Sequence, residues 1–413
     1  VIAAGATSVG IIASKDPRFD QESGSPPMEP FQGPHQGGIA SDQQAYALFL
    51  ACDLAKSGKE HLRELLDVWS AVAAEITAGN PPPQPAGLTP GFSADTDVGA
   101  GLDPARLTVT FGLGPGVFGD GMGLDSQRPK HLRPLPEFLG DTLNPAWSDG
   151  DVLVQICADD AQVVSHAFRA LRARMPGLAR MRWTQYGFLS RPAAGGTPRN
   201  LLGHKDGTVN PRPGTAEFNR SVWVDSVDEP AWFHGGSYLV FRKIRMKTAD
   251  WDQLPLAEQD RIIGRQRADG APLGGVDEFD AVDLQARASD GEPVIPKNAH
   301  IRLVHGFAML RRSYNYDYGT LIANAGGTPD PVPVPPHVHA SDTPAHAHGG
   351  HSQLDTGLLF AAYMNDPPAQ FIAAQRALAN DPLNGLIQHT GSAIFAMPSG
   401  CAKGEPIAKV LTD

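Results

Sequence analysis

Residues 151–175, DVLVQICADDAQVVSHAFRALRARM, set a strand directly against a helix. The run from Asp151 reads as a strand, and the run from Ala161 as a helix. Upstream, ARLTVTFGLGPGVFG (105–119) is a second strand, with Leu107, Val109 and Phe111 alternating before a Gly-rich turn. Before it, GKEHLRELLDVWSAVAAEITAG (58–79) places Leu62, Leu65, Leu66, Trp69 and Val72 at helical spacing, with Gly79 as a stop. SDQQAYALFLACDL (41–54) opens the series as a strand or early helix, and ARMRWTQYGFLS (179–190) closes it as a strand. Strand, helix, strand, strand, helix, strand is the order of a ferredoxin-like unit.

The second half repeats this grammar. GSYLVFRKIRMK (236–247) alternates cleanly as a strand, and residues 248–270 read as a helix that Thr248 or Asp250 caps. HGFAMLRRSYNY (305–316) and TGLLFAAYMND (356–366) are strand-like, AQFIAAQRALAN (369–380) is a helix, and GSAIFAMPSG (391–400) is a closing strand. The fold class is therefore α+β, with two units of similar build at 36–200 and 201–413. A flexible segment rich in Pro, Gly and charge is expected over 1–35. Residues 328–353 form a Pro-rich insert with His337, His339, His346, His348 and His351. It reads as a solvated loop or as a site for copper, zinc or nickel.

A chain of 413 residues is long for one compact domain, which agrees with two units. The net charge of -11 argues against nucleic acid and against an anionic membrane surface. No apolar run approaches the roughly 20 residues that span a bilayer. Cys52, Cys157 and Cys401 allow one disulfide, and without CxxC or CxxCH they provide neither a zinc ribbon nor a covalent haem attachment. The small, apolar opening VIAAGATSVGIIAS fits the trimmed end of an export signal or a truncation.

Two stretches carry chemistry. In LLGHKDGTVNPRPG (201–214), Asp206 stands between Lys205 and Gly207, either as an ordinary Asx-turn or as a catalytic acid. In PKNAHIRLVHGFAMLRRSYNYDYG (296–319), His300 begins a strand-like run, and Arg311 and Arg312 lie among apolar and aromatic residues. A His to ligate iron, an acid to move a proton between peroxide oxygens and an Arg to stabilise charge as the O–O bond breaks form a minimal set for haem peroxide chemistry.

FQGPHQGGI (31–39), GHKDGTVNPR (203–212), AHIRL (299–303), MLRRSYNY (309–316), GLLFAAYMNDPPAQFIAAQRAL (357–378) and GSAIFAMPSG (391–400) occur in that order. Together they resemble the dye-decolourising peroxidases, in the manner of an A-type-like secreted bacterial member. The resemblance implies two ferredoxin-like units in a dimeric α+β barrel-type fold, with haem in the C-terminal half. It implies one non-covalent haem b per chain, with His300 as the axial iron ligand. It makes Asp206 the distal acid–base residue and Arg311, rather than Arg312, the distal Arg. Gly203 and Gly207 would let the loop approach the porphyrin, and Asn210, Arg212 and Arg302 would hold propionates.

The same resemblance implies hydrogen peroxide as oxidant, a ferryl intermediate, and bulky dyes or phenols as one-electron donors. Its alternative is a haem-handling protein that releases iron or assists iron uptake. Export by the twin-arginine route is expected, and oligomeric state stays open. The carboxylate expected to hydrogen-bond the proximal His is Asp366 or Asp355. Tyr314, Tyr316, Tyr318, Tyr363 and Trp232 are either surface electron relays or core aromatics. Two positions depart from the family pattern: His204 stands where Phe is usual, and Ser313 where Gly is usual. His204 is a candidate second titrating group.

Overall fold

The computed structural model describes residues 28–84, 93, 95–192, 196–320 and 354–412. Most of the expected flexible N-terminal segment, and the whole His-rich insert 328–353, lie outside the described residues.

The first unit runs β1 (Tyr46–Leu54), α1 (Lys59–Thr77), β2 (Thr108–Leu113), β3 (Val152–Ala158), α2 (Ala161–Arg172) and β4 (Ala179–Phe188). Its strands lie in the order β4-β1-β3-β2, all antiparallel. A short α3 (Ala216–Val222) leads to the second unit. That unit contains β5 (Ser237–Met246), α4 (Thr248–Asp252), α5 (Leu256–Ile263), α6 (His300–Leu303), β6 (Leu310–Arg311), β7 (Tyr314–Thr320), β8 (Leu354–Met364), α7 (Ala373–Ala377) and β9 (Ile387–Met397). Its order, β9-β5-β8-β7, repeats that of the first. Single residue pairs, Leu113 with Ala396 and Phe188 with Asn315, join the two sheets at two seams. Eight strands thereby close into a barrel.

Side-chain alternation along the strands divides the core. Ala47, Phe49 and Ala51 of β1 point into the barrel with Phe241, Tyr314, Leu359 and Phe395. Leu48, Leu50 and Leu54 face outward against Leu62, Leu65, Leu66 and Trp69 of α1. Full burial of each large apolar side chain contributes roughly 1.5–3 kcal/mol. The Trp69 indole also donates to the Leu171 carbonyl at 3.1 Å, which fixes α1 to α2. Asp160 caps α2 by accepting from the amides of Gln162 and Val163.

The helices of the second unit are shorter than the sequence suggests. The expected helix over 248–270 breaks at Pro255 into α4 and α5 and stops at Ile263, followed by left-handed Gly264. Neither Thr248 nor Asp250 caps it, since Lys247 takes that position without a side-chain bond. The expected helix over 369–380 begins as a π-turn at Pro368–Ile372 and holds only a short α segment, α7. His300 does not start a strand but the four-residue helix α6. Where α1 and α2 seal the outer sheet face of the first unit, these short pieces leave a cavity over the second.

Cys52, Cys157 and Cys401 are buried free thiols, so the possible disulfide is not formed. Tyr314, Tyr316, Tyr363 and Trp232 are buried and Tyr318 is half-buried, which places them as core aromatics and not surface relays. Among the described residues no helix is long and apolar enough to cross a membrane.

Candidate active site

The cavity has a volume of about 240 Å³ and lies on the outer face of β5, β8 and β9. Ile244, Met246, Leu358 and Phe360 supply its sheet side, and Val304, Phe307, Met309 and Phe371 add further apolar walls. His300, Asp206 and Arg311, expected on sequence grounds, all line it.

His300 enters from α6. Its Nδ1 lies 2.6 Å from Oδ2 of Asp381, whose side chain is almost completely buried. The other Asp381 oxygen accepts from the Leu383 amide at 2.8 Å, so the carboxylate is held on both sides. With Nδ1–H donating to the carboxylate, Nε2 carries the lone pair, and it has no hydrogen-bond partner among the described residues. This is the arrangement of a metal-ligating imidazole oriented by a carboxylate. The partner is thus neither Asp366 nor Asp355. Asp355 is buried with Lys243 Nζ at 2.7 Å and the Tyr316 hydroxyl at 3.1 Å. Asp366 caps the turn after β8 by accepting from the Ala369 amide.

Asp206 and Arg311 pair directly, Nη1 to Oδ1, at 3.1 Å. Arg311 occupies β6, whose backbone pairs with Ala362 on one side. On its other side Asn210 bonds both its amide, at 3.1 Å, and its carbonyl, at 2.7 Å. Asp206 sits in a loop closed by an Arg199–Lys205 bridge, its amide donating to the Pro198 carbonyl. Gly207 lines the cavity with φ of 108°, a backbone that L side chains rarely adopt. Arg312 turns away to the Ser41 carbonyl and Gln44.

The expected propionate partners are placed elsewhere. Asn210 is spent on the Arg311 backbone. Arg302 clamps the carbonyls of Leu284, Ile295 and Pro296, and Arg212 is exposed. None of the three lines the cavity, and neither does Gly203, which abuts Arg267. The cations that do line it are Arg311, Arg242, Arg265 and Lys205. Arg242 is held by Asp141 and by Ser392 Oγ at 3.0 Å. Arg265 donates to the carbonyls of Gly270 and Glu278. Burial lowers the pKa of both Arg242 and Arg265. Lys205 pairs with Glu278, which also takes a bond from Thr208. Burial acts to raise the Glu278 pKa, but the bonds from Lys205, Thr197 and Thr208 outweigh it and hold the group below the ordinary range.

Two histidines complete the lining. His204 is buried beside Trp251, with Nε2 at 3.1 Å from Asp260. Burial pushes its pKa down against the pull of Asp260. His389 is pushed down to about 4, first by burial and then by Arg242, with Asp141 pulling the other way. Sequence reasoning missed Arg242, Arg265, His389 and Asp381. Of these only Arg242 lies on β5, whose alternation places it on the face of Ile244 and Met246.

The donor set fits a haem. A carboxylate-oriented imidazole has its second nitrogen free, an acid–arginine pair shares the cavity with it, the walls are apolar, and further cations suit carboxylate substituents.

The described geometry agrees with the comparisons. A family model described as Dyp-type peroxidase, N-terminal, matches residues 36–189, and one described as Dyp-type peroxidase, C-terminal, matches 197–402. The chain is 38% identical over 384 residues to the dye-decolorizing peroxidase of Thermobifida fusca, covering 88% of this chain and 80% of that protein. It is 36% identical over 394 residues to the deferrochelatase of Escherichia coli K12, covering 90% and 84%. Ferric DtpA from Streptomyces lividans superposes with a TM-score of 0.81 at 39% identity, over 94% of this chain and 98% of that one. The DyP-type peroxidase from Cellulomonas bogoriensis gives 0.79 at 35%, over 94% and 99%.

Proposed function

The chain belongs to the Dyp-type peroxidase family, and from that premise we propose that it reduces hydrogen peroxide at one non-covalent haem b held by His300 and returns the oxidising equivalents to aromatic one-electron donors. One observation carries the reading. The same cavity brings together His300, with Nδ1 fixed at 2.6 Å by Asp381, and the Asp206–Arg311 pair at 3.1 Å.

The roles follow from the contacts. His300 would bind iron through Nε2. Asp381 takes the Nδ1–H, fixes the ring orientation and raises the basicity of the ligand. The bound haem supplies the redox centre for peroxide reduction. Asp206 accepts a proton from one peroxide oxygen and returns it to the other. The Arg311 guanidinium, its backbone pinned by Asn210 and β8, stabilises negative charge on the departing oxygen without having to reorganise. Arg242, Arg265 and Lys205 replace the earlier candidates as partners for haem carboxylates.

The test is an absorbance spectrum of the haem-loaded protein before and after one equivalent of peroxide. A Soret band that shifts with peroxide in the parent, and that is lost or altered in His300→Ala, supports the reading. An unaltered His300→Ala spectrum overturns the ligand assignment. A second reading, release of iron from haem, is supported by the likeness to the proteins named deferrochelatase. Iron-free porphyrin accumulating without peroxide turnover would favour it.

A further inference from the structure

A second, smaller void lies behind the Asp206–Arg311 pair, at the seam where β4 meets β7 through one residue pair. Its volume of about 20 Å³ is enough to hold a water molecule. Asp206 and Arg311 line both this void and the main cavity. Ser313 and Asn315 also line it, and each carries a buried oxygen, Oγ and Oδ1, with no hydrogen-bond partner among the described residues. Asn315 is 5% exposed, and its amide nitrogen is fixed on the Arg199 carbonyl at 3.0 Å, so Oδ1 is held in place. The Ser313 carbonyl is fixed in turn by Gln43 Nε2 at 2.7 Å.

Buried orphan oxygens are costly, and one small molecule with two donor hydrogens and an acceptor relieves them together. Asn315 Oδ1 accepts only. The Ser313 hydroxyl donates as well as accepts. Arg311 occupies Asp206 Oδ1, and Oδ2 has no partner among the described residues. A water that donates to Asn315 and to Asp206, and accepts from Ser313, matches this set.

We infer that the seam holds such a water and that it delivers protons to Asp206 during turnover. The inference rests on Asp206 acting as the proton carrier of the peroxidase reaction. Each hydrogen peroxide reduced to two waters takes up two electrons and two protons. The electrons come from the donors of the proposed peroxidase reaction. The protons must reach Asp206, and a water in the seam would join it to the Ser313 hydroxyl, which also lines the void.

The test compares parent, Ser313→Gly and Ser313→Ala proteins, all haem-loaded. Steady-state turnover at saturating peroxide and donor is measured in water and in deuterium oxide, and the holoprotein is crystallised for high-resolution diffraction. Both variants should lose kcat by roughly tenfold, less than the loss of the acid–base group itself would cause. Their solvent isotope effect should rise, while KM for peroxide, the ferric spectrum and Tm hold. Parent crystals should show a water bonded to Ser313 and Asn315 that is missing in Ser313→Gly. Unchanged kcat and isotope effect in both variants would overturn the inference alone. So would a raised KM for peroxide at constant kcat, which would make the void a passage for peroxide. A parent protein whose Soret band ignores peroxide would remove the peroxidase reading itself.

Discussion

At the scale of single residues, the site depends on contacts between groups far apart in the chain. His300 and Asp381 are 81 residues apart, yet their 2.6 Å bond decides which imidazole nitrogen faces the cavity. Asp381→Ala is therefore expected to lower haem affinity about 10–100-fold, read by titrating the apoprotein with haemin. Arg311→Ala should cost about 10²–10³ in the rate with peroxide, measured by stopped flow, while Asn210→Ala should cost less because β8 still holds the strand. His389 sets an acid limit on stability. It is neutral and buried in the fold, so its contribution is complete above its ordinary value of about 6.5. That contribution is lost as pH falls through about 4. His389→Phe should move the midpoint of acid unfolding to lower pH, as followed by circular dichroism.

His300, Asp206 and Arg311 were legible because each sits in a short motif whose residue types suit the chemistry. Asp381 was not. Its local role, accepting from the Leu383 amide ahead of Pro382, is that of an ordinary turn residue. It lies beyond α7, between two short turns, and only the tertiary fold brings it within 2.6 Å of His300. Arg302 and Asn210 misled for a related reason, since a cation and an amide near a motif look like ligand groups until the structure shows which carbonyls they serve.

At the scale of elements, long periodic segments were legible and short ones were not. The apolar stripe of α1 announces itself over nineteen residues, and the alternation of β2 and β5 is equally plain. The four residues of α6 make one helical turn, too short to show a period. Pro255 breaks one expected helix, and Pro367 and Pro368 begin the other as a π-turn. Trp69 tests the stripe. It is fully buried against the outer face of β2 and bonds α2, so Trp69→Ala should cost about 3–5 kcal/mol in denaturant unfolding.

At the scale of the whole molecule, the seams hold two sheets that pair through single residues. Gln36 reinforces one of them. Its side chain bonds the amide and carbonyl of Phe111 on β2 and the carbonyl of Pro398 beyond β9. Gln36→Ala would leave these backbone groups buried and unpaired, and should cost about 2–4 kcal/mol, visible as a fall in Tm with the haem site spectrally intact. The repeated strand grammar made two units legible from sequence. Closure into one barrel was implied only by the family resemblance, because each seam rests on a single pairing that no periodicity reports.

The unequal helices of the two units have a bearing on redesign. One strand order occurs twice, once with its outer face filled by α1 and α2 and once with that face hollowed into a reaction chamber. Helix length, and not sheet topology, decides which half is hollow. A designer wishing to add a second prosthetic group to this scaffold would leave the strands alone, cut back α1 near Trp69, and line the exposed positions of β1 and β2 with ligating side chains.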